Sequence, residues 1–306
     1  MKISFVVAVY RNEGSIRSTY EKIKSVFTRF LKKYSYEIVF VDDGSDDGSL
    51  QEILSLRKKD PRVKAISFTR NFGQMAAMLA GLKETTGSAT INISADLQDP
   101  IEMIPQMVKK WREGSEIVVC YRIGRADSFV SKFFSRFAYG LLKLSFPQLP
   151  SGGFDYVLID KKPLGQYNSI NVRNRSFQGD LLWSGYRTSF IPYFRLKRTI
   201  GQSQYNFAKK LKNFLDALLD ASYMPIRFIS LIGFMTSIIG ALYSLTIVYA
   251  WAFRKTPFTG WAPIMIVILF VGGLIMIMLG IIGEYIWRIY DELRKKPNYI
   301  IRSKHI

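Results

Sequence analysis

YEIVFVDDGSDDGS, residues 36–49, decides the fold. Residues 36–41 are an apolar run of strand length, aspartates and glycines turn the chain at 42–48, and a helical pattern opens at Ser49 and reaches Lys59. The same alternation spreads outward in both directions. Residues 3–9, 63–68, 90–94 and 116–121 read as strands, and residues 15–34 carry helical periodicity. A β-α-β-α order predicts an α/β domain with a mainly parallel sheet. Loops then fall at residues 10–14, 42–48, 69–74 and 95–100, at the carboxyl ends of strands, where open parallel sheets bind ligands. Three of these four loops carry an acid. An acid at such a turn serves equally well as a helix cap.

Composition narrows the chemistry. The 306 residues carry a formal charge of +19, which points to a polyanionic partner: nucleic acid, an anionic membrane or a phosphorylated substrate. With Cys120 alone, no internal disulfide can form, which fits a reducing compartment. The single histidine, His305, stands at the end of the chain, which argues against a histidine metal site or a Ser-His-Asp triad. Met1 leads directly into a strand-like run with no secretory pattern, so membrane targeting is expected from internal segments.

Two such segments exist. Residues 228–253 and 262–283 are apolar and uncharged, each longer than the roughly 20 residues that cross a bilayer. The expectation is a hairpin over residues 227–287, with spans at about 228–253 and 262–287 and a short connector. Arg195, Lys197, Arg198, Lys209, Lys210 and Lys212 precede it, and Arg288, Arg294, Lys295, Lys296, Arg302 and Lys304 follow it. The connector holds only Arg254 and Lys255, so the positive-inside rule puts the large domain and both termini in the cytoplasm. Residues 205–226 read as an amphipathic juxtamembrane helix, with Phe207, Leu211, Phe214, Leu215, Leu218 and Leu219 at helical spacing among lysines. Residues 1–204 are then the catalytic domain and 288–306 a basic tail.

Two loops carry recognisable chemistry. Paired acids at Asp42 and Asp43 would repel a phosphate, so they suit hydrogen bonds to a base or ribose. After the next acidic strand end, Asp96 and Gln98 stand two residues apart, oxygen donors of the kind Mg²⁺ and Mn²⁺ favour while keeping places for phosphate oxygens.

Taken together, Val7-Ala8-Val9-Tyr10-Arg11-Asn12-Glu13, Val41-Asp42-Asp43-Gly44-Ser45, Arg70-Asn71-Phe72-Gly73 and Ala95-Asp96-Leu97-Gln98-Asp99-Pro100 resemble the inverting family 2 glycosyltransferases. Gly153-Phe154-Asp155 ahead of Leu158-Ile159-Asp160, the series Arg195, Arg198, Gly201, Ser203, Tyr205, and Gly283-Glu284-Tyr285 leading to Pro297 and Tyr299 extend the resemblance to the polyprenyl-phosphate branch. That branch includes dolichol-phosphate mannose synthases and bactoprenol glucosyltransferases. The resemblance covers essentially the whole chain. It implies a GT-A (Rossmann-like) α/β catalytic domain followed by the amphipathic helix and the two-helix transmembrane hairpin.

The resemblance also implies roles. Tyr10, Glu13, Asp42, Asp43, Arg70, Gln74 and Asp96 would bind the nucleotide-sugar. Asp96 and Gln98 would hold Mg²⁺ or Mn²⁺, with Ser94 contributing through water. Asp155 matches an acid proposed as catalytic base, beside Asp96 in the catalytic pair. Arg122, Lys132, Arg136, Arg195, Arg198 and Ser203 would meet the acceptor phosphate. Ser94 replaces a common aspartate and Gln204 a usual lysine, so weaker or water-mediated metal contact and one missing phosphate-directed charge are expected. A phosphate monoester is largely dianionic near neutrality, its second pKa being about 6, so Asp155 is read first as a positioning group and second as a base. The expected reaction is inverting transfer of glucose from UDP-glucose to undecaprenyl or another polyprenyl phosphate, for cell-envelope glycans such as lipopolysaccharide. Amino-arabinose, N-acetylhexosamine and mannose donors stay open, and a non-catalytic membrane scaffold is the alternative that Ser94 favours. The expected setting is the bacterial inner membrane, with membrane lipids as partners, a homotetramer as the assembly and no nucleic-acid partner.

Overall fold

The first strand shows how the sheet is built. Along β1 (Lys2–Val9), Ile3, Phe5, Val7 and Val9 face one buried layer and Val6 the other, so both faces of the strand are covered. A strand buried on both sides is the mark of a parallel α/β sheet. The computed structural model describes residues 1–123, 140, 147–150, 153–170, 172, 175–194, 224–253 and 262–306, and divides into two units, Met1–Ala221 with Pro297–Ile306, and Ser222–Lys296.

In the first unit the elements run β1, α1 (Ile16–Arg29), β2 (Ser35–Asp42), α2 (Ser49–Lys59), β3 (Val63–Phe68), α3 (Gln74–Lys83), β4 (Ala89–Ser94), a 3₁₀ turn (Ile101–Met103), α4 (Ile104–Arg112), β5 (Ile117–Arg122), β6 (Tyr156–Asp160), α5 (Lys161–Ser169), α6 (Phe177–Trp183), β7 (Thr188–Tyr193) and, after the second unit, β8 (Ile301–His305). The eight strands lie in the order β7-β5-β6-β4-β1-β2-β3-β8. Only β6 and β8 run antiparallel to their neighbours. Helices α1, α2 and α4 cover one face, and α3, α5 and α6 the other. The α3 face is rich in small residues because it approaches the sheet closely: a Cβ on Gly81 would lie 2.4 Å from Val6 Cγ1. The strand order reverses at β1, between β4 and β2, which opens a crevice at the carboxyl ends of those strands.

The five expected strands and both expected helices are present, with ends shifted by a few residues. The basic tail divides. Residues 288–293 continue a helix, whereas Ile301–His305 pair with β3 as the edge strand β8. Asp60, in the turn between α2 and β3, is buried. It accepts the Tyr20 hydroxyl at 2.8 Å and the Arg62 guanidinium. Burial would raise its pKa, yet these bonds and the Arg62 amide lower it to about 2.

The second unit holds two apolar helices, α7 (Met224–Ala252) and α8 (Ala262–Leu293). They touch where Met278 reaches Gly233, at which a Cβ would lie 3.2 Å from Met278 Cε. Small residues at such contacts let apolar helices approach. Among the described residues, one segment, Phe270–Leu293, is long and apolar enough to cross a membrane. Phe234, Ile239, Leu242, Phe270, Met276 and Ile277 are exposed along the two helices, a disposition that water disfavours. Glu284 pairs with Arg288 one turn on, at 3.2 Å. Of the expected amphipathic helix at 205–226, residues 205–223 lie outside the described residues and 224–226 open α7.

Candidate active site

At the crevice, the β1–α1 and β2–α2 loops are laced together by acids that accept backbone amides. Glu13 accepts Gly48 N at 3.0 Å, while Glu52 accepts Gly14 N and Arg17 N, each at 2.8 Å. Arg11, left-handed at φ 52°, grips Asp46 through two bonds of 2.7 and 2.6 Å, and its guanidinium lies 5.4 Å from the Tyr10 ring centre. Asp42 and Asp43 are both buried. Asp42 accepts Ser45 N at 3.1 Å and Ser67 Oγ at 2.9 Å. Asp43 accepts the amides of Phe72 at 2.7 Å and Gly73 at 2.8 Å, which ties the β3–α3 loop to the end of β2. Burial raises the pKa of Asp43 and the two amides oppose that rise. Gly44 sits where this loop passes: at φ +66°, a Cβ there would lie 2.4 Å from the Arg70 carbonyl carbon. Tyr10, Glu13, Asp42, Asp43, Arg70 and Gln74 therefore share one rim of the crevice, with Arg70 and Gln74 exposed on it.

The other rim begins at β4. Ser94 Oγ donates to Asp96 Oδ1 at 2.7 Å, and the same oxygen accepts Gln98 N at 3.1 Å. Leu97 between them is left-handed at φ 58°, a strained conformation for a branched residue. Ser94 thus touches the carboxylate itself, in keeping with an indirect part in any ion site. Asp99 Oδ2 accepts Ser94 N at 3.2 Å, and its Oδ1 accepts the Tyr193 hydroxyl at 2.8 Å. Tyr193 in turn accepts Arg122 Nε at 3.3 Å, and Arg122 Nη2 reaches Asp155 Oδ2 at 3.5 Å. A continuous chain of bonds therefore runs Asp96, Ser94, Asp99, Tyr193, Arg122, Asp155.

Topology explains the meeting. Because β6 runs antiparallel between β4 and β5, its first residues lie at the sheet end where β4 and β5 finish. Asn92 Nδ2 holds the Asp155 carbonyl at 2.8 Å, and Gln178 holds the Phe154 carbonyl at 2.7 Å, so the backbone at Asp155 is fixed while its carboxylate stays half exposed. Burial raises the pKa of Asp99, against the pull of Tyr193 and Arg122. Burial would lower that of Arg122, but Tyr193, Asp155 and Asp99 keep it above its ordinary value.

Among the described residues no three acidic, histidine or cysteine side chains converge as a metal cage. The oxygen donors at the end of β4 fit instead a hard cation that keeps most of its shell for water and phosphate oxygens. Lys132, Arg136, Arg195, Arg198 and Ser203 lie outside the described residues. The sequence reading did not single out Asn92, Asp99 or Tyr193. Asp99 falls inside the quoted acidic motif, but Tyr193 ends a strand with no local signal of its own.

Known proteins share this frame. Residues 4–164 match the model of glycosyl transferase family 2. A bactoprenol glucosyl transferase of Shigella phage SfX is 36% identical, covering 99% of this chain and all of its own length. An uncharacterized glycosyltransferase of Bacillus subtilis is 35% identical over 100% of this chain and 94% of its own. Among solved structures, glucosyl-3-phosphoglycerate synthase from Mycobacterium tuberculosis, in complex with Mn²⁺, UDP-glucose and phosphoglyceric acid, has TM-score 0.51 and 16% identity, over 72% of this chain and 79% of that one, a likeness of fold.

Proposed function

The chain belongs to glycosyl transferase family 2, and from that premise we propose that it moves a sugar from a nucleotide-sugar to a polyprenyl phosphate at a membrane surface, with UDP-glucose as donor. It is a glycosyltransferase with a GT-A-like α/β sheet. The observation that carries the acceptor reading is the Arg122–Asp155 pair, joined by hydrogen bonds to the Asp96 turn at the crevice. Whole-length similarity to a bactoprenol glucosyl transferase supports it.

In this reading Tyr10 and the loops held by Glu13, Asp42 and Asp43 cradle the nucleoside, with Arg70 and Gln74 at the rim. Asp96, with Gln98 and with Ser94 acting through it or through water, would hold Mg²⁺ or Mn²⁺. When bound, such an ion neutralises charge on the departing diphosphate. Arg122 draws the acceptor phosphate toward the anomeric carbon, and Asp155 orients Arg122 and the incoming group. A phosphate oxygen forms the new bond to the anomeric carbon as the bond to the diphosphate oxygen breaks. The electron pair leaves with the nucleoside diphosphate, and attack opposite to it inverts the centre. A dianionic phosphate has no proton to lose, so the step needs no strong base.

The membrane part of the proposal is two spans, α7 and α8, with the catalytic unit and both termini cytoplasmic. Phe270–Leu293 supports one span. Parity supports the second: β8 follows α8 in the chain yet pairs with β3, so a chain whose sheet stays on one side of the bilayer crosses it an even number of times. Assembly as a tetramer rests on the family resemblance alone. The deciding experiment incubates the purified full chain with undecaprenyl phosphate, Mg²⁺ or Mn²⁺ and a panel of nucleotide-sugars, then weighs the lipid product. A mass gain of one hexose from UDP-glucose is expected. No product from any donor would overturn the reading.

A further inference from the structure

The end of the chain lies against the loop that carries Arg70. Tyr299 stacks on Phe68, the last residue of β3, with ring centres 4.9 Å apart and planes 10° from parallel. Phe68 meets Phe72 edge to face at 5.8 Å, and the Arg70 guanidinium lies 4.1 Å from the centre of the Phe72 ring. The backbone between these rings is held from both sides. Thr69 N donates to the Ile300 carbonyl at 3.1 Å, and Arg302 Nη2 donates to the Thr69 carbonyl at 3.0 Å. Asp43 holds the amides of Phe72 and Gly73 from the opposite side. Further along, Lys304 pairs with Glu84 at 2.8 Å and Arg57 donates to the Ile306 carbonyl at 2.6 Å, which fixes β8 to the end of α3 and to α2.

We infer that the C-terminal strand is a positioning element of the donor site: Tyr299 and Arg302 set the Thr69–Gly73 loop so that Arg70 is presented to the nucleotide diphosphate. The physical reason lies in the loop itself. Arg70 is exposed, and among the described residues its guanidinium donates only to the neighbouring Asn71 carbonyl at 3.2 Å and rests on the Phe72 ring. Because β3 would otherwise be a sheet edge, what holds this long flexible cation is its own loop, which β8 in turn holds. A stack of rings with the guanidinium on its outer face limits the positions that Arg70 can take, which lowers the ordering cost when an anion binds. The inference rests on the proposed donor role of Arg70, and its test separates the two.

The full chain in detergent is compared with Tyr299→Ala, Tyr299→Phe, Arg302→Ala, Arg70→Ala and the Arg70→Ala/Tyr299→Ala double variant. UDP affinity is measured by calorimetry, and KM is measured for UDP-glucose and for undecaprenyl phosphate. Tyr299→Ala should weaken UDP binding and raise the UDP-glucose KM about tenfold, the scale of one lost cation–ring arrangement. The acceptor KM should not change. Tyr299→Phe should behave as the parent, because the stack needs the ring and not the hydroxyl. Arg302→Ala, which leaves the β8 ladder in place, should move the same constants in the same direction. In the Arg70→Ala background, Tyr299→Ala should add nothing. If Arg70→Ala weakens UDP binding but Tyr299→Ala and Arg302→Ala shift only the melting temperature, the strand is merely structural and the inference falls while the donor reading stands. If Arg70→Ala leaves UDP affinity unchanged, the donor role of the loop falls, and the inference with it.

Discussion

Asp96 and Tyr193 show two ways in which a single residue shapes the crevice. Asp96 is buried and bonded to Ser94 Oγ and Gln98 N, so its carboxylate is oriented before any ligand arrives. Asp96→Ala should abolish sugar transfer while the protein still sediments with membranes. Turnover within twofold of the parent would remove Asp96 from the chemistry. Tyr193 acts at one remove: its hydroxyl joins buried Asp99 to Arg122. Tyr193→Phe leaves Asp99 without that donor and Arg122 without that acceptor, a loss in the range of 1–3 kcal/mol for buried polar groups. Turnover should fall about tenfold, with UDP affinity unchanged, measured by initial rates at saturating donor. The contrast explains what a reader of the sequence can find. Asp96 and Asp155 stand in motifs with neighbours of telling type, whereas Tyr193 matters only because β7 pairs in parallel with β5 and brings Arg122 opposite Tyr193. That pairing is a non-local event with no trace in nearby residues.

Among the elements, legibility follows burial. β1 to β5 are apolar runs buried on the sheet and stand out as such. β7 is an edge strand with Pro192 exposed, and β8, Ile301–His305, is mostly polar and pairs on one side only. Edge strands need neither alternation nor apolar character, and proline is tolerated in them, so both escape a pattern search. The opposite end of the sheet carries its own polar lock. Glu37 on β2 accepts Ser4 Oγ at 2.6 Å and Thr86 N at 2.6 Å, and pairs with Lys2 and Lys64 at 3.2 and 3.1 Å. It joins β1, β2, β3 and the turn into β4 in one cluster. Burial alone would raise its pKa, but these partners lower it from 4.5 to about 2. A carboxylate depressed in the folded state stabilises fully above its unfolded value, and that stability is lost as pH falls from 4.5 toward 2. Thermal melts should therefore drop steeply below pH 4.5 in the parent. Glu37→Gln should melt lower at neutral pH and show a shallower acid dependence. An identical acid profile in the variant would remove Glu37 as a source of acid lability.

For the whole molecule, the sheet constrains the membrane. A chain that leaves the catalytic unit, enters the bilayer and returns to the same sheet must cross an even number of times. β8 makes that return, since it pairs with β3 after α8 has ended. A single crossing by Phe270–Leu293 would strand β8 on the far side, so the α7 segment must cross as well or α8 must not cross at all. These alternatives differ in where the connector 254–261 lies. Cysteine labelling decides, because the native Cys120 is buried, and burial pushes its thiol pKa up and leaves it unreactive. In intact cells a membrane-impermeant maleimide should label Thr259→Cys, whereas Lys33→Cys and His305→Cys should react only after permeabilisation. Protection of Thr259→Cys in intact cells, with labelling after permeabilisation, would mean a hairpin that lies on the cytoplasmic surface. Labelling of His305→Cys from outside would contradict the pairing of β8 with β3 within one chain, and with it the parity on which two spans depend.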